Sequence, residues 1–314
     1  MSWTAEEWPI GAALLQFPGT TGSGESVQTA GPQHWRRVFE EVRSCGFDHV
    51  DLTDSWLRPG DLDEAGRREL VRALQQAGLV GVSAISVVRR SVLDPEFGEA
   101  HLAYALRTVE AAAAIGAGVV CLGLHRPLTP AQRAAQWFWH EPGDGDRIGD
   151  PEVFALAVDR FRTVGKAAAG LGVRLSLEMY EDTLLGTAAD AVALVRAIDL
   201  PNVGLNPDIG NLIRLHRPVE DWEEMLRATL PYTNYWHIKN YFRDHDPATG
   251  AYFTVPAPVR DGLISYRRAL ELALEHGFDG PLCVEHYGGD GLGVSAANRE
   301  YLRGVLAIKL RERS

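Results

Sequence analysis

Glu178, Asp208, His237 and Glu285 are the residues of this chain whose types and spacing best suit them to act together. They lie in or at the ends of four short apolar runs: RLSLEMY (174–180), VGLNPDIGN (203–211), NYWHIKNY (234–241) and PLCVEHY (281–287). Three carboxylates and an imidazole gathered in one place lose solvation and repel one another unless a cation offsets both effects. A divalent metal ion supplies that charge. Carboxylate-rich ligation suits a hard ion such as Mg²⁺, while one imidazole shifts the preference toward Mn²⁺, with Co²⁺ a further fit.

Convergence of the four depends on the elements that carry them. Short runs rich in Val, Leu and Ile alternate with helical patterns of period near 3.6. The strands are read at 10–17, 48–53, 80–88, 119–125 and in the four runs above. The helices are read at 34–46, 63–78, 96–117, 151–170, 187–198, 219–230, 264–277 and 296–311. Several end in glycine just before the next strand, as at Gly46, Gly78 and Gly277. Eight such units predict an α/β fold, a single-domain (β/α)₈ barrel over residues 1–314 with right-handed crossovers. In such a barrel the strands' carboxyl ends form one face, where reacting groups gather. No glycine-rich phosphate loop follows the first strand, so neither an open nucleotide-binding sheet nor a nicotinamide or flavin cofactor is expected.

Strand parity supports the grouping, because side chains alternate between the two sides of a strand. His237 and Lys239 share a side, as do Glu285 and Tyr287, and Asn206 and Asp208 if the backbone stays extended. Lys239 is placed to polarise a substrate oxygen or to neutralise the carboxylates. Asp51 and Asp54 end the second strand and either bind sugar hydroxyls or cap a loop. His286 has the wrong parity. Arg214, His216 and Arg217 read as a solvated basic group after the sixth strand.

Two long loops fall on the same face. Pro18–Gly31 is polar and glycine-rich, and a longer loop after strand 4, Arg126–Asp150, carries Trp137, Phe138, Trp139 and His140. Long loops in compact domains are commonly functional. Trp137 and Trp139 either contact a flat substrate or pack against neighbouring loops. His125 and His140, near the end of the fourth strand, are candidates for a general base.

The remaining composition narrows the classes. A chain of 314 residues with 46% apolar content buries a large core, and its net charge of −11 argues against a nucleic-acid groove. Cys45, Cys121 and Cys283 form no CxxC pair and read as reduced thiols. The first residues are acidic where a signal peptide is basic, and no apolar run reaches membrane-spanning length. A cytoplasmic protein that does not associate with membranes is expected.

The segments SLEMYED, GLNPDIGN, WHIKN and GFDGPLCVEHYGGDG resemble the xylose-isomerase-like barrels, in particular the sugar isomerase and epimerase branch related to endonuclease IV. That resemblance implies that Glu178, Asp208, His237 and Glu285 are metal ligands. It also implies that Glu178 and Glu285 move protons on opposite faces of a sugar, and that Arg243 binds substrate. Leu184 and Asn211 depart from the ketose epimerase pattern, which has glutamate and histidine at those positions. His237 and Lys239 are similar to a pair in inosose dehydratases. An endonuclease-like activity lacks its extra histidines and basic surface here.

GAALLQFPGT, DLTDSWLRPGDL and the aromatic fourth loop are similar to the catalytic subunits of bacterial C-glycoside deglycosidases. That similarity implies a carbon–carbon lyase acting on 3-oxo-C-glycosides, with an aromatic aglycone and a small β-sheet-rich partner subunit in a hetero-oligomer. A ketose 3-epimerase or sugar isomerase is the alternative, and a non-catalytic sugar-binding subunit is the alternative from another class. The enzymatic readings share one step: removal of a proton from carbon next to a sugar carbonyl.

Overall fold

The structure, a computed structural model, describes residues 3–313. Eight parallel strands follow the predicted order: β1 (Ile10–Ala13), β2 (His49–Thr53), β3 (Gly81–Val87), β4 (Val119–Leu122), β5 (Arg174–Glu178), β6 (Val203–Asn206), β7 (Trp236–Ile238) and, after an intervening hairpin, β10 (Leu282–Val284). Their lateral order is β6-β5-β4-β3-β2-β1-β10-β7, which leaves β6 and β7 to meet and close the ring. Closure uses a side chain in place of a full ladder. The Asn206 Oδ1 accepts the His237 amide N–H at 2.7 Å, beside a single parallel bridge between Leu205 and Thr233.

The helices begin where capping chemistry allows. Asp150 accepts the amides of Glu152 and Val153 ahead of Pro151–Gly170, and Asp63 accepts that of Gly66 ahead of Glu64–Gln76. Such caps contribute about 1 kcal/mol each. Gly46, Gly78 and Gly277 all take left-handed φ values of 75–88°, the conformation that lets each helix stop and turn into a strand. The last helix runs Gly291–Arg311 and starts earlier than read from sequence. Its cap is Asp290, which accepts the Gly293 amide inside a glycine-rich stretch that hides the helical period.

Two packing layers result. The larger apolar cluster lies between strands and helices, with Phe39, Leu52, Ile85, Phe161, Leu177 and Trp236 essentially inaccessible to water. A smaller cluster of Ala13, Ala84, Val119, Cys121, Tyr235 and Cys283 is formed by the opposite parity of the strands and fills the barrel interior. Small side chains leave room above them for the polar groups of the site.

The loops are more ordered than their composition suggests. The loop after β1 contains a helical turn at Val27–Ala30, clamped by the Trp35 indole donating to the Val27 carbonyl at 2.8 Å. The loop after β4 holds the helix Pro130–Ala134, with a reciprocal cap between Thr129 and Gln132, and a 3₁₀ turn at Phe138–His140. After β7 the chain forms an antiparallel hairpin of β8 (Asn240–Asp246) and β9 (Ala251–Ala257), which the barrel reading does not contain. Its sequence signal was present in the Asp246–Gly250 turn and the alternating YFTV that follows. Continuity with the β7 run masked it.

Candidate metal centre

The barrel's carboxyl-terminal face gathers the strand-end residues into one buried group. Glu178 ends β5, and Asp208 follows β6 by two residues. His237 lies within β7, and Glu285 follows β10. His237 Nδ1 stands 3.8 Å from Glu178 Oε1 and 3.6 Å from Asp208 Oδ2, distances too long for hydrogen bonds. One donor atom from each of Glu178, Asp208 and His237 falls within 4.8 Å of the other two. His237 Nδ1 and Asp208 Oδ1 are buried without a hydrogen bond, and Asp208 Oδ2 has only the Lys239 ammonium, 2.7 Å away. Buried orphan acceptors around a common point are costly, and two carboxylates with one imidazole form a donor set that fits a divalent ion.

Glu285 is engaged differently. Its carboxylate contacts the ammonium of Lys239, which also lies 2.7 Å from Asp208 Oδ2. Lys239 thus bridges the two carboxylates and ties Glu285 to the edge of the group.

Behind the imidazole, Asp51 is wholly buried. It accepts from Ser86 Oγ at 2.7 Å and from the Tyr235 hydroxyl, and its Oδ2 lies 3.6 Å from His237 Nε2. Ser86 Oγ, held by Asp51, lies 3.3 Å from His237 Nε2, so the Ser86–Asp51 pair fixes that edge of the ring and leaves Nδ1 facing Glu178 and Asp208. The expected contact of Asp51 with sugar hydroxyls is therefore corrected, because its oxygens point into the barrel and are already engaged. On the other flank, Asn211 Nδ2 donates 3.0 Å bonds to Glu178 Oε1 and to the Met179 carbonyl, orienting the glutamate.

Burial opposes charge on Glu178 and His237 alike, yet attraction between them prevails. Glu178 is held well below the ordinary carboxylate range. His237 is held well above the ordinary imidazole range, with Asp208 and Asp51 adding to the pull of Glu178. Burial raises Glu285, Asp208 raises it further, and Lys239 works against both. Lys239 stays protonated despite its burial because Asp208 and Glu285 flank it. His125 differs from these four. Burial takes its imidazole down to about 4, so it is neutral at ordinary pH. It stacks on Tyr180 with ring centroids 4.7 Å apart. At Gly123 a Cβ would come within 2.2 Å of the His125 ring nitrogen, so the backbone there must lack a side chain.

A cavity of about 290 Å³ opens over this group. Glu178, His237, Glu285, Asn211 and His125 line it, together with the apolar and aromatic side chains of Leu15, Val88, Leu128, Phe138, Tyr180 and Tyr287. Tyr180 and Tyr287 stand two residues beyond Glu178 and Glu285, so strand parity placed them in reach. Arg89 also reaches the cavity, in a left-handed conformation with φ of 56°. It donates to the Arg126 carbonyl at 3.0 Å and to the Tyr180 hydroxyl at 3.2 Å, and lies over Phe138. Nothing in its sequence neighbourhood singled it out.

Several loop residues go elsewhere. His140 is exposed, with its ring 4.0 Å from that of His216, and lines a neighbouring cleft rather than the metal-facing cavity. Trp139 is buried among Phe138, Tyr241 and Tyr287 and donates to Thr254 Oγ1 at 3.3 Å. Trp137 stacks on Trp139 and abuts Gly288. Among the loop aromatics, Phe138 is the one that faces the cavity. Arg243 is not in the cavity either; its guanidinium holds the Ile213 carbonyl at 2.8 Å and those of Leu215 and Arg217, pinning the loop after β6. Arg214, read as solvated, is fully buried. It donates 3.0 Å bonds to both oxygens of Glu181 and sits among Phe138, Trp139 and Tyr180.

These features define a parallel (β/α)₈ barrel with a convergent carboxylate–imidazole site at the carboxyl ends of its strands. The chain belongs to the xylose isomerase-like TIM barrel family, whose model matches residues 39–308. It is 46% identical to a xylose isomerase-like TIM barrel protein from Mycobacterium smegmatis, solved in complex with magnesium. That likeness has a TM-score of 0.94 and covers 98% of this chain and 100% of the other. It is 24% identical over 260 residues to the L-ribulose-5-phosphate 3-epimerase UlaE of Salmonella typhi, covering 80% of this chain and 81% of that enzyme. The 3-keto-D-glucoside 4-epimerase YcjR of E. coli has the same fold, with a TM-score of 0.64 at 16% identity over 95% of this chain and 99% of the other. Among the described residues no helix is long and apolar enough to cross a membrane.

Proposed function

We propose that this protein uses a divalent ion to remove a proton from carbon next to a sugar carbonyl. We further propose that its substrate is an oxidised glycoside, from which a 3-oxo-C-glycoside loses its aglycone by β-elimination. The observation that carries the second step is the mixed lining of the cavity, in which an apolar and aromatic wall of Leu15, Val88, Leu128, Phe138, Tyr180 and Tyr287 stands beside Glu178, His237, Glu285 and His125. A free ketose has no apolar part to place against that wall, whereas a phenolic aglycone does.

Glu178, Asp208 and His237 would hold the ion, Mn²⁺ or Mg²⁺, with Glu285 as the fourth candidate. When bound, it supplies positive charge to the oxygen that gains electron density as the neighbouring carbon loses its proton. The chain's own residues supply the rest. His125, neutral and facing the cavity, and Glu285, raised by burial, are the groups able to accept the C2 proton. The C1–aglycone bond then breaks as the C1–C2 double bond forms, and the aglycone carbon takes up a proton. No oxidant or reductant is consumed. Arg89, which lines the cavity, offers donors to substrate oxygens, and Lys239 holds Asp208 and Glu285 in place. A small β-sheet-rich partner subunit would complete the cover of the apolar wall.

A second reading is supported by the relatives. If the proton returns to the opposite face of the same carbon, the chain is a ketose 3-epimerase, as the ribulose-phosphate enzyme is named. Proton NMR in D₂O with Mg²⁺ separates the two. Release of aglycone from a 3-oxo-C-glycoside, with or without an added partner subunit, supports elimination. Deuterium entering a free ketose as its epimer forms moves the protein to the second reading.

A further inference from the structure

Beside the metal-facing cavity lies a second cleft of about 200 Å³. Arg89 and Tyr180 line both spaces and are joined to each other by a 3.2 Å bond. We propose that this second cleft is a distal subsite for a neutral ring bearing several hydroxyls, joined to the sugar whose carbon reacts. The proposal rests on the glycoside reading above and specifies the far end of that substrate.

Charge and shape carry it. Two of the cleft's three arginines face carboxylates, and the third, Arg89, donates to the Arg126 carbonyl and the Tyr180 hydroxyl. Arg217 pairs with Asp182 at 2.7 Å, and Arg126 with Asp146 at 3.3 Å. Glu141 and Asp144 add further negative charge at the rim. A phosphate would meet these carboxylates and find no unpaired cluster of arginines, so a sugar phosphate does not fit. A cation would meet the arginines. A neutral polyol satisfies both signs, because each hydroxyl donates to a carboxylate and accepts from a guanidinium. The exposed His140–His216 pair supplies the flat surface against which the apolar face of such a ring packs, with the edges of Trp139 and Tyr180 beside it. The loop after β4 and the residues after β6 build this cleft together, which gives the long aromatic loop a binding role distinct from proton transfer.

The shared chemistry has two sources, a second pyranose or a hydroxylated aromatic ring. Calorimetry with the Mg²⁺-loaded protein and probes that carry no 3-oxo group tests it. The probes are methyl β-D-glucopyranoside, cellobiose, 4-hydroxyphenyl β-D-glucopyranoside and glucose 6-phosphate. At least one two-ring probe is expected to bind about tenfold more tightly than the methyl glycoside, and which one does so identifies the ring. His140→Trp, which fills the cleft from an exposed position, should abolish that advantage and leave methyl glycoside binding unchanged. Arg217→Ala should reduce it. Equal affinity for one-ring and two-ring probes, tighter binding of glucose 6-phosphate, or an advantage unmoved by His140→Trp overturns the proposal. None of these probes can undergo elimination, so failure here is read separately from failure of the D₂O experiment.

Discussion

The strand-end cluster and the cap above it meet at one cavity but are organised by different forces. In the cluster, Glu178, Asp208 and His237 are aimed by strand parity and then fixed by neighbours: Asn211 on Glu178, and Ser86, itself held by Asp51, on His237. In the cap, the loop after β4 and the β8–β9 hairpin are held by one another. Thr254 accepts from Trp139 and donates to the Arg214 carbonyl, and Arg243 binds carbonyls of the loop after β6. The lesson is that residue type predicts a role where the backbone is regular. Where loops fold on each other, the same residue types are spent on building the loops.

The sharpest way to break this contrast is to change one residue on each side. Asp208→Asn is expected to abolish measurable turnover and to lower metal affinity at least about a hundredfold, read by calorimetry. Native-like affinity in that variant would remove Asp208 from the centre. On the cap side, Arg214→Met leaves Glu181 buried without its partner and should cost about 3–5 kcal/mol of stability in urea unfolding. A loss under 1 kcal/mol would show that the cap is not anchored there.

The pH dependence of stability sharpens the comparison for His125. Its folded-state imidazole titrates at about 4, against 6.5 for an exposed one. Between those values the unfolded chain binds a proton that the native chain does not. Stability therefore falls as pH drops from 6.5 toward 4, by about 3 kcal/mol for this group. His125→Gln should flatten that part of the profile relative to wild type, and an unchanged slope would contradict neutral burial.

Smaller effects test the supporting residues. Asp51→Asn is expected to weaken metal affinity 10- to 100-fold with the fold intact by circular dichroism, as for other residues that orient a ligating imidazole. An effect below twofold would reduce Asp51 to a packing role. Arg243→Ala should leave metal affinity within about twofold while increasing amide exchange over residues 213–217, because its bonds go to that loop. A large loss of metal affinity would place Arg243 in the site after all.

Much of this molecule was determined by its sequence alone. The eight barrel strands, their helices and the convergence of Glu178, Asp208 and His237 follow from periodicities of two and 3.6, which depend only on local backbone geometry. Tyr180 and Tyr287 were within reach of the same parity. Only the tertiary structure decided that Asp51 supports His237, that Lys239 bridges Asp208 and Glu285, and that His140 and Arg243 lie outside the cavity. It likewise decided that Asn206 closes the barrel and that Arg214 is buried. Those outcomes depend on contacts between residues 30–184 positions apart, where burial and the demand that every buried charge find a partner choose among arrangements that local sequence leaves equivalent.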